Sequence, residues 1–258
     1  MILWLDGAHG AIENMRRDSR LLEAGAAGRA FPAVLRLFRF HPAGITLGNS
    51  QDSAAELDLP ALRESGIEWA SRPTGGRAIW HDEEWTFSLR APLGAAGWAS
   101  SPSAAYERTC LLLAAALRDL GVPVELSAGT ARGVGSPRGT DGAAPPCFAS
   151  TARHELTLGG RKFAGIAQRA VRDTLLQQGS LLLGPSHLEL ARWMRVPEER
   201  RHGLRAALAR SACDAGAHLA ADAPLESLAG ALAAHLPGVH RVVGDEGVAL
   251  LDGEAPGG

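Results

Sequence analysis

SRPTGGRAIWHDEEWTFSLRAP, residues 71–92, is the stretch from which the rest of the chain can be placed. Trp85, Phe87 and Leu89 alternate with Thr86 and Ser88, the two-residue period of a strand that turns one face to the core. Ahead of that run, Gly75 and Gly76 stand between Arg72 and Arg77, and His81 is followed by Asp82. Adjacent glycines let backbone N–H groups converge on a ligand, and guanidinium groups pair with phosphate or carboxylate. The loop lacks the GK[ST] of a Walker loop and the G-x-G-x-x-G of a dinucleotide fold. A Gly-Gly turn between arginines is also an ordinary hairpin device, so these residues alone leave binding and turn-making both open.

Working outward, PAVLRLFRF and GITLG read as two strands, and AIENMRRDSRLLEAGAAG reads as a helix closed by a glycine. Downstream, Ser101 and Pro102 open a helix that runs to about Leu120 and stops at Gly121. Tyr106, Cys110, Leu113 and Leu117 share one stripe of it, which assigns Cys110 to core packing. VPVEL is strand-like. The Gly/Ser/Ala/Pro-rich SAGTARGVGSPRGTDGAAPP is a long loop within one domain, because the strand pattern resumes at once in HELTL. GGRKFAGIAQRAV and LLQQGSLLL follow as turn, strand, turn, strand. From about Leu188 the chain is helical and Ala/Leu/Arg-rich, closing in a strand-like RVVGDEGVALLD and a frayed GEAPGG tail. This order predicts an α+β fold, with a mixed, largely antiparallel sheet packed against helices, in place of a regular βαβ repeat.

Composition narrows the function. The 258 residues suffice for one substantial core, and the 46% hydrophobic and 21% charged content is that of a globular protein. A net charge of -2 gives no basic footprint for nucleic acid. No apolar run is long enough to span a bilayer, and MILWLDGAHGAIENM lacks the features of a secretion signal, so a cytoplasmic protein is expected. Three widely spaced cysteines, Cys110, Cys147 and Cys213, argue against a disulfide framework and a Cys-rich zinc site. Of the 26 basic residues all but one are Arg, the exception being Lys162. A position that keeps lysine in such a chain is a candidate for what Arg cannot offer, a compact ammonium whose protonation burial can tune. Cys147, in PPCFAS, is either a nucleophile beside a cation or a buried inert thiol. Lys162, in GGRKFAGIAQ, is either a site residue or a solvated hairpin lysine. The small Ala164 and Gly165 after it would let a substrate lie against the backbone.

RPTGGRAIWHDEEWTFSL, CFAS followed by HELTLGGRKFAGIAQR, and LQQGSLLL, in this order, resemble the lipoate-protein ligase and octanoyltransferase superfamily. That superfamily shares its catalytic domain with biotin ligases, which carry a different Gly-Arg-rich loop. RLFRF and GITLGNSQD also resemble the family's opening, and the resemblance is strongest to its cysteine-dependent octanoyltransferase branch. It implies a catalytic core over residues 1–190, with 191–258 a helical extension of the same domain. It implies transfer of octanoyl from acyl carrier protein to a lysine of a lipoyl domain, on a 2-oxoacid dehydrogenase or the glycine cleavage H protein, through a thioester on Cys147. Lys162 would stabilise the oxyanion with the backbone near Gly165 as helper. Gly75 and Gly76 would line an acyl tunnel, Arg72 would orient the carrier or carbonyl, and His81 would structure the loop or assist proton transfer. Thr74, Arg77 and Ala167 join them as substrate-binding positions. No cofactor or metal is implied, ATP and Mg entering only in the ligase branch; no nucleic acid or membrane partner is implied, and a monomer is expected. A lipoyl amidotransferase uses the same residues, and a non-catalytic relative that binds acyl groups or lipoyl domains is the reading from another class. Gln178 departs from the family, which has His there, and the NMRRDSRLL helix departs from its more acidic, Ala-rich form.

Overall fold

The computed structural model describes residues 1–27, 32–95, 97–127 and 155–252. β1 (Ile2–His9) leads through Gly10 into α1 (Ala11–Ala26), and β2 (Val34–Phe40) returns beside β1. A small layer follows: β3 (Gly44–Leu47), α2 (Ser53–Glu56), α3 (Leu59–Glu64), β4 (Glu68–Ser71) and β5 (Ile79–His81). β6 (Glu84–Pro92) re-enters the main sheet, and α4 (Pro102–Asp119) packs on it. β7 (Glu125–Leu126), β8 (Leu156–Leu158) and β9 (Arg161–Lys162) form a short three-stranded ribbon. The hairpin β10 (Ala164–Val171) and β11 (Thr174–Leu182) completes one edge of the main sheet. α5 (Leu190–Trp193), α6 (Glu198–Ser211), α7 (Leu225–Ala234) and β12 (His240–Val243) then carry the chain to its other edge.

The main sheet has the order β10-β11-β6-β2-β1-β12. Pairing is antiparallel from β10 to β2 and parallel from β2 through β1 to β12, the mixed, mainly antiparallel α+β arrangement expected. One face is apolar: Leu3, Leu5, Leu35, Leu37, Trp85, Phe87 and Leu89 pack against Tyr106, Cys110, Leu113 and Leu117 of α4 and Leu225, Leu228 and Leu232 of α7. The helix from Pro102 follows its signals, with the Ser101 hydroxyl accepting from the Ala104 N–H and Gly121 at φ 81° after the last turn.

Alternation in β6 suggests one buried face, yet Thr86 and Ser88 are buried as fully as Trp85 and Phe87. α1 and the small β4-β3-β5 sheet cover this second face, with Ala11 and Met15 packing on Phe38 and Phe40. Its polar groups are tolerated because they bond to one another. The opening residues form a strand that alternation does not reveal: flanked by parallel neighbours on both sides, Ile2–Leu5 are apolar on both faces and read as an unbroken run. α1 ends at an Ala27 cap, and Gly28, the glycine expected to close it, lies outside the described residues. VPVEL contributes only the two-residue β7. RVVGDEGVALLD is strand only as far as Val243; Gly244, at φ 55°, turns the chain into a 3₁₀ helix, Gly244–Asp252, that packs Leu250 and Leu251 on Trp4. The tail from residue 253 lies outside the described residues.

The segment after residue 190 enters the core. β12 pairs with β1, α7 packs on α4, and the Ala223 carbonyl accepts from the buried indole of Trp85 at 2.9 Å. Among the described residues no helix is long and apolar enough to cross a membrane.

Gly179 in LQQGS is required by packing: a Cβ there would lie 2.6 Å from Phe87 Cζ. Gly179→Ala is expected to lower stability by about 1–3 kcal/mol through overpacking, and Phe87→Leu in the same chain to recover part of the loss. Urea unfolding of the two variants checks this.

Candidate active site

The polar face of the sheet is organised around Arg36, a fully buried guanidinium on β2. Its Nε donates to Asp6 Oδ2 at 2.7 Å, Nη1 to Asp18 Oδ1 at 2.8 Å and Nη2 to Asn14 Oδ1 at 2.7 Å. Arg17 adds a second cation against Asp6. The two carboxylates therefore face two guanidiniums, and a buried ion pair is tolerated only when it is matched in this way. Asn14 and Asp18 reach Arg36 together because they are four residues apart on α1. Asp18 also takes the Ser88 hydroxyl on Oδ1 at 2.7 Å and Gln178 Nε2 on Oδ2 at 2.6 Å. Gln178 Oε1 accepts from the Thr74 hydroxyl at 2.6 Å. An unbroken chain of hydrogen bonds thus runs from Arg36 to the glycine loop.

Arg72 is the internal brace of that loop. It is 4% exposed; Nε and Nη2 donate to the Gly75 carbonyl at 3.1 and 2.9 Å, Nη2 to the Arg77 carbonyl at 2.8 Å and Nη1 to Thr46 Oγ1 at 3.2 Å. Gly76 has φ 105°, a conformation that favours glycine, and its backbone presses on Gly48, where a Cβ would lie 2.9 Å from the Gly76 carbonyl carbon. Arg77 is a third exposed, with Glu56 at 3.9 Å. His81 is buried and stacked on Phe40 at 3.9 Å, its two ring nitrogens 2.7 Å from Thr46 Oγ1 and 2.6 Å from Glu84 Oε1. Glu84 also accepts from Thr86 at 2.6 Å and Ser180 at 3.0 Å. With both nitrogens engaged, His81 holds β5 to β3 and β6.

Gly165 and Ala167 stand opposite Ser180 and Gln178 in the β10–β11 register, so they share the face on which Thr74 is tied. Arg169, two residues on, donates to the Pro73 carbonyl at 3.1 Å and fastens the loop to β10. Thr74, Gly75, Gly165, Ala167 and Gln178 are thereby brought to one region.

Lys162 is a buried cation: it is 6% exposed, and its Nζ lies 2.9 Å from Glu155 Oε1. This rules out the solvated hairpin lysine. Its carbonyl accepts from the Cys213 N–H at 3.0 Å. Cys147 lies outside the described residues. The other two thiols are packing groups: Cys110 is fully buried and its thiol is pushed up to about 12, chiefly by burial, while Cys213, also raised by burial, donates to the Leu158 carbonyl at 3.3 Å. Among the described residues no cluster of His, Cys, Asp or Glu would hold a metal ion.

Sequence reading missed Asp6, Asn14, Asp18, Arg36, Glu84 and Glu155. Two of them carried a signal, a charged side chain inside an apolar strand run: Asp6 in ILWLD and Arg36 in VLRLF.

The fold is that of the lipoate-protein ligases. The archaeal bi-partite lipoate protein ligase of Thermoplasma acidophilum matches it with a TM-score of 0.69, over 97% of this chain and 89% of that one, at 18% identity. Residues 11–236 match the model of the lipoyl protein ligase A/B catalytic domain, and the chain belongs to that family. It is 37% identical over 205 residues to the octanoyltransferase LipM of Moorella thermoacetica, covering 78% of this chain and 71% of that protein. To the octanoyltransferase LipM of Kyrpidia tusciae it is 32% identical over 228 residues, 86% of this chain and 82% of that protein.

Replacing Arg36 by Met strands Asp18 in the interior with only the neutral donors Ser88 and Gln178. The expected loss is about 3–5 kcal/mol of folding stability, read from urea unfolding. Cys110, buried and protonated, is expected to resist iodoacetamide at about pH 8 in the folded chain and to react fully once unfolded, as followed by peptide mass spectrometry.

Proposed function

We propose that the chain is an octanoyltransferase of protein lipoylation, taking octanoyl from acyl carrier protein onto Cys147 and delivering it to a lysine of a lipoyl domain. The observation that carries this reading is the 37% identity to an octanoyltransferase in a chain that joins a braced Arg-Gly-Gly loop and a buried lone lysine to Cys147 of PPCFAS. A lipoyl domain as acceptor is supported by the Thermoplasma system, which consists of a ligase and its E2 lipoyl domain.

In the first step the Cys147 thiolate attacks the thioester carbonyl, a tetrahedral oxyanion forms, and the carrier thiolate leaves and takes up a proton. In the second, the neutral amine of the acceptor lysine attacks the Cys147 thioester; the Cys147 thiolate leaves, and the proton shed by the new amide nitrogen returns to it or to solvent. One thioester replaces another near balance, and the amide is more stable than either, so the route consumes no ATP and needs no metal. Lys162 supplies positive charge to the oxyanion in each step, acting in a water-poor site where such charge is most effective. The Glu155 carboxylate keeps that ammonium in place.

The acyl chain runs between the loop at Thr74–Gly76 and the strand face at Gly165 and Ala167, where small side chains leave room. Arg72 serves here as the brace that shapes the loop, its donors being turned to loop carbonyls. Arg77, at the exposed rim, meets the carrier, and His81 keeps the small sheet in register beneath the loop.

Intact-mass spectrometry of the chain mixed with octanoyl-acyl carrier protein, without ATP, tests the proposal. The wild type should gain an octanoyl increment that hydroxylamine removes, and Cys147→Ala should gain none; transfer by Cys147→Ala at the wild-type rate overturns the thioester route. Lys162→Met is expected to slow adduct formation by about 10²–10³-fold, the loss that follows removal of one oxyanion-stabilising group.

A further inference from the structure

We infer that Gln178 is a positioning residue for acyl transfer, coupling the glycine loop to the buried Asp18–Arg36 pair through the hydroxyl of Thr74; the inference rests on the acyl-transfer reading of that loop. Gln178 lies in the middle of β11, 6% exposed, directly opposite Ala167. Its orientation is dictated chemically. An ionised Asp18 only accepts, so the Gln178 amide must turn Nε2 toward it, at 2.6 Å, and Oε1 toward Thr74, also at 2.6 Å. Thr74 must then donate its proton to Gln178, which fixes the hydroxyl rotor. Gly75 and Gly76 have no side chains to anchor them, so their N–H groups are placed by what holds their neighbours. Arg72 closes the loop on itself through the Gly75 and Arg77 carbonyls, and the Asn49 N–H binds the Thr74 carbonyl at 3.0 Å. Those contacts shape the loop within the small layer. The spacing between the loop and the main sheet is set from the interior by Thr74–Gln178 and from the exposed side by Arg169 on Pro73. Gln178 therefore governs the width of the gap over Gly165 and Ala167.

The same constraint explains how Gln can stand where the family resemblance implies His. A neutral imidazole also carries one acceptor and one donor and can join Thr74 to Asp18; a carboxylate or an alkyl group cannot. Gln178→Leu and Thr74→Val are each expected to raise KM for octanoyl-acyl carrier protein by about 10-fold, the cost of the Thr74–Gln178 hydrogen bond that both changes remove, with the larger part of the effect in KM and not in kcat. The double variant should be no worse than either single change, Gln178→Glu should resemble Gln178→Leu, and Gln178→His should recover most of the loss. Amide hydrogen exchange over residues 73–76, measured without substrate, should speed up in Gln178→Leu and Thr74→Val and return toward wild type in Gln178→His. A folded Gln178→Leu protein with wild-type KM and wild-type loop exchange overturns the inference. A chain that forms no octanoyl thioester but shows the loop response overturns only the transfer reading, and the coupling of loop to interior stands.

Discussion

A guanidinium with no exposed surface, Arg36, sits between the main sheet and its first helix, and much of the molecule is arranged to make it tolerable there. The desolvation of one such ion is worth several kcal/mol against folding, so carboxylates must be delivered from separate parts of the chain in matching geometry. Asp6 arrives from β1 and Asp18 from α1. Asn14 supplies an oxygen to the same group while its own amide donates to the carbonyls of His9 and Arg39, at the ends of the two parallel strands. Arg36 therefore specifies the docking of α1, the pairing of β1 with β2 and the position of the acceptor that Gln178 uses. An apolar residue there would pack without selecting any of these.

The two faces of the sheet consequently do different work. The face toward α4 and α7 is held by area: Trp85, Phe87 and the leucines around them supply non-directional burial, which accommodates changes that conserve volume. The face toward α1 is held by direction. Arg36, Asp18, Gln178, Thr74, Glu84 and His81 each have defined donors and acceptors, so a shift of one is passed to the next. Backbone laid on such a face inherits a precision that an apolar surface does not give.

How much of this could be read beforehand follows from the same division. The alternating strand in WTFSL, the helix from Pro102 and the β10–β11 hairpin were legible because local chemistry and tertiary environment agree in them. β1 was not, since a strand between parallel neighbours loses the alternation that marks it. The small residues Gly165 and Ala167 and the loop at Thr74–Gly76, singled out in the sequence, come to one region through Thr74–Gln178 and Arg169–Pro73. Arg72, read as orienting a carrier or carbonyl, donates to loop carbonyls, and His81, read as structuring the loop or assisting proton transfer, has both ring nitrogens on protein groups. Sequence shows which side chains have donors to offer; only the fold shows that Thr46, Gly75 and Glu84 lie within reach. Asp6 and Asp18, separated from Arg36 by 30 and 18 residues, left no pattern of pairing in a single sequence.

The burial of Lys162 has a further consequence. It is the one lysine of the chain, and it is 6% exposed with Glu155 against its ammonium; every other basic side chain is a guanidinium or an imidazole. Guanidinium groups stay protonated at neutral pH and do not attack acyl carbonyls, whereas a surface lysine amine does so slowly but continually. A protein that carries an activated acyl group on itself is exposed to attack by its own surface at very high local concentration. On the transfer reading proposed above, the arginine usage that looks like compositional drift leaves the buried, ion-paired Lys162 as the one lysine of the chain, so that an acceptor lysine on another molecule meets no surface lysine as competitor.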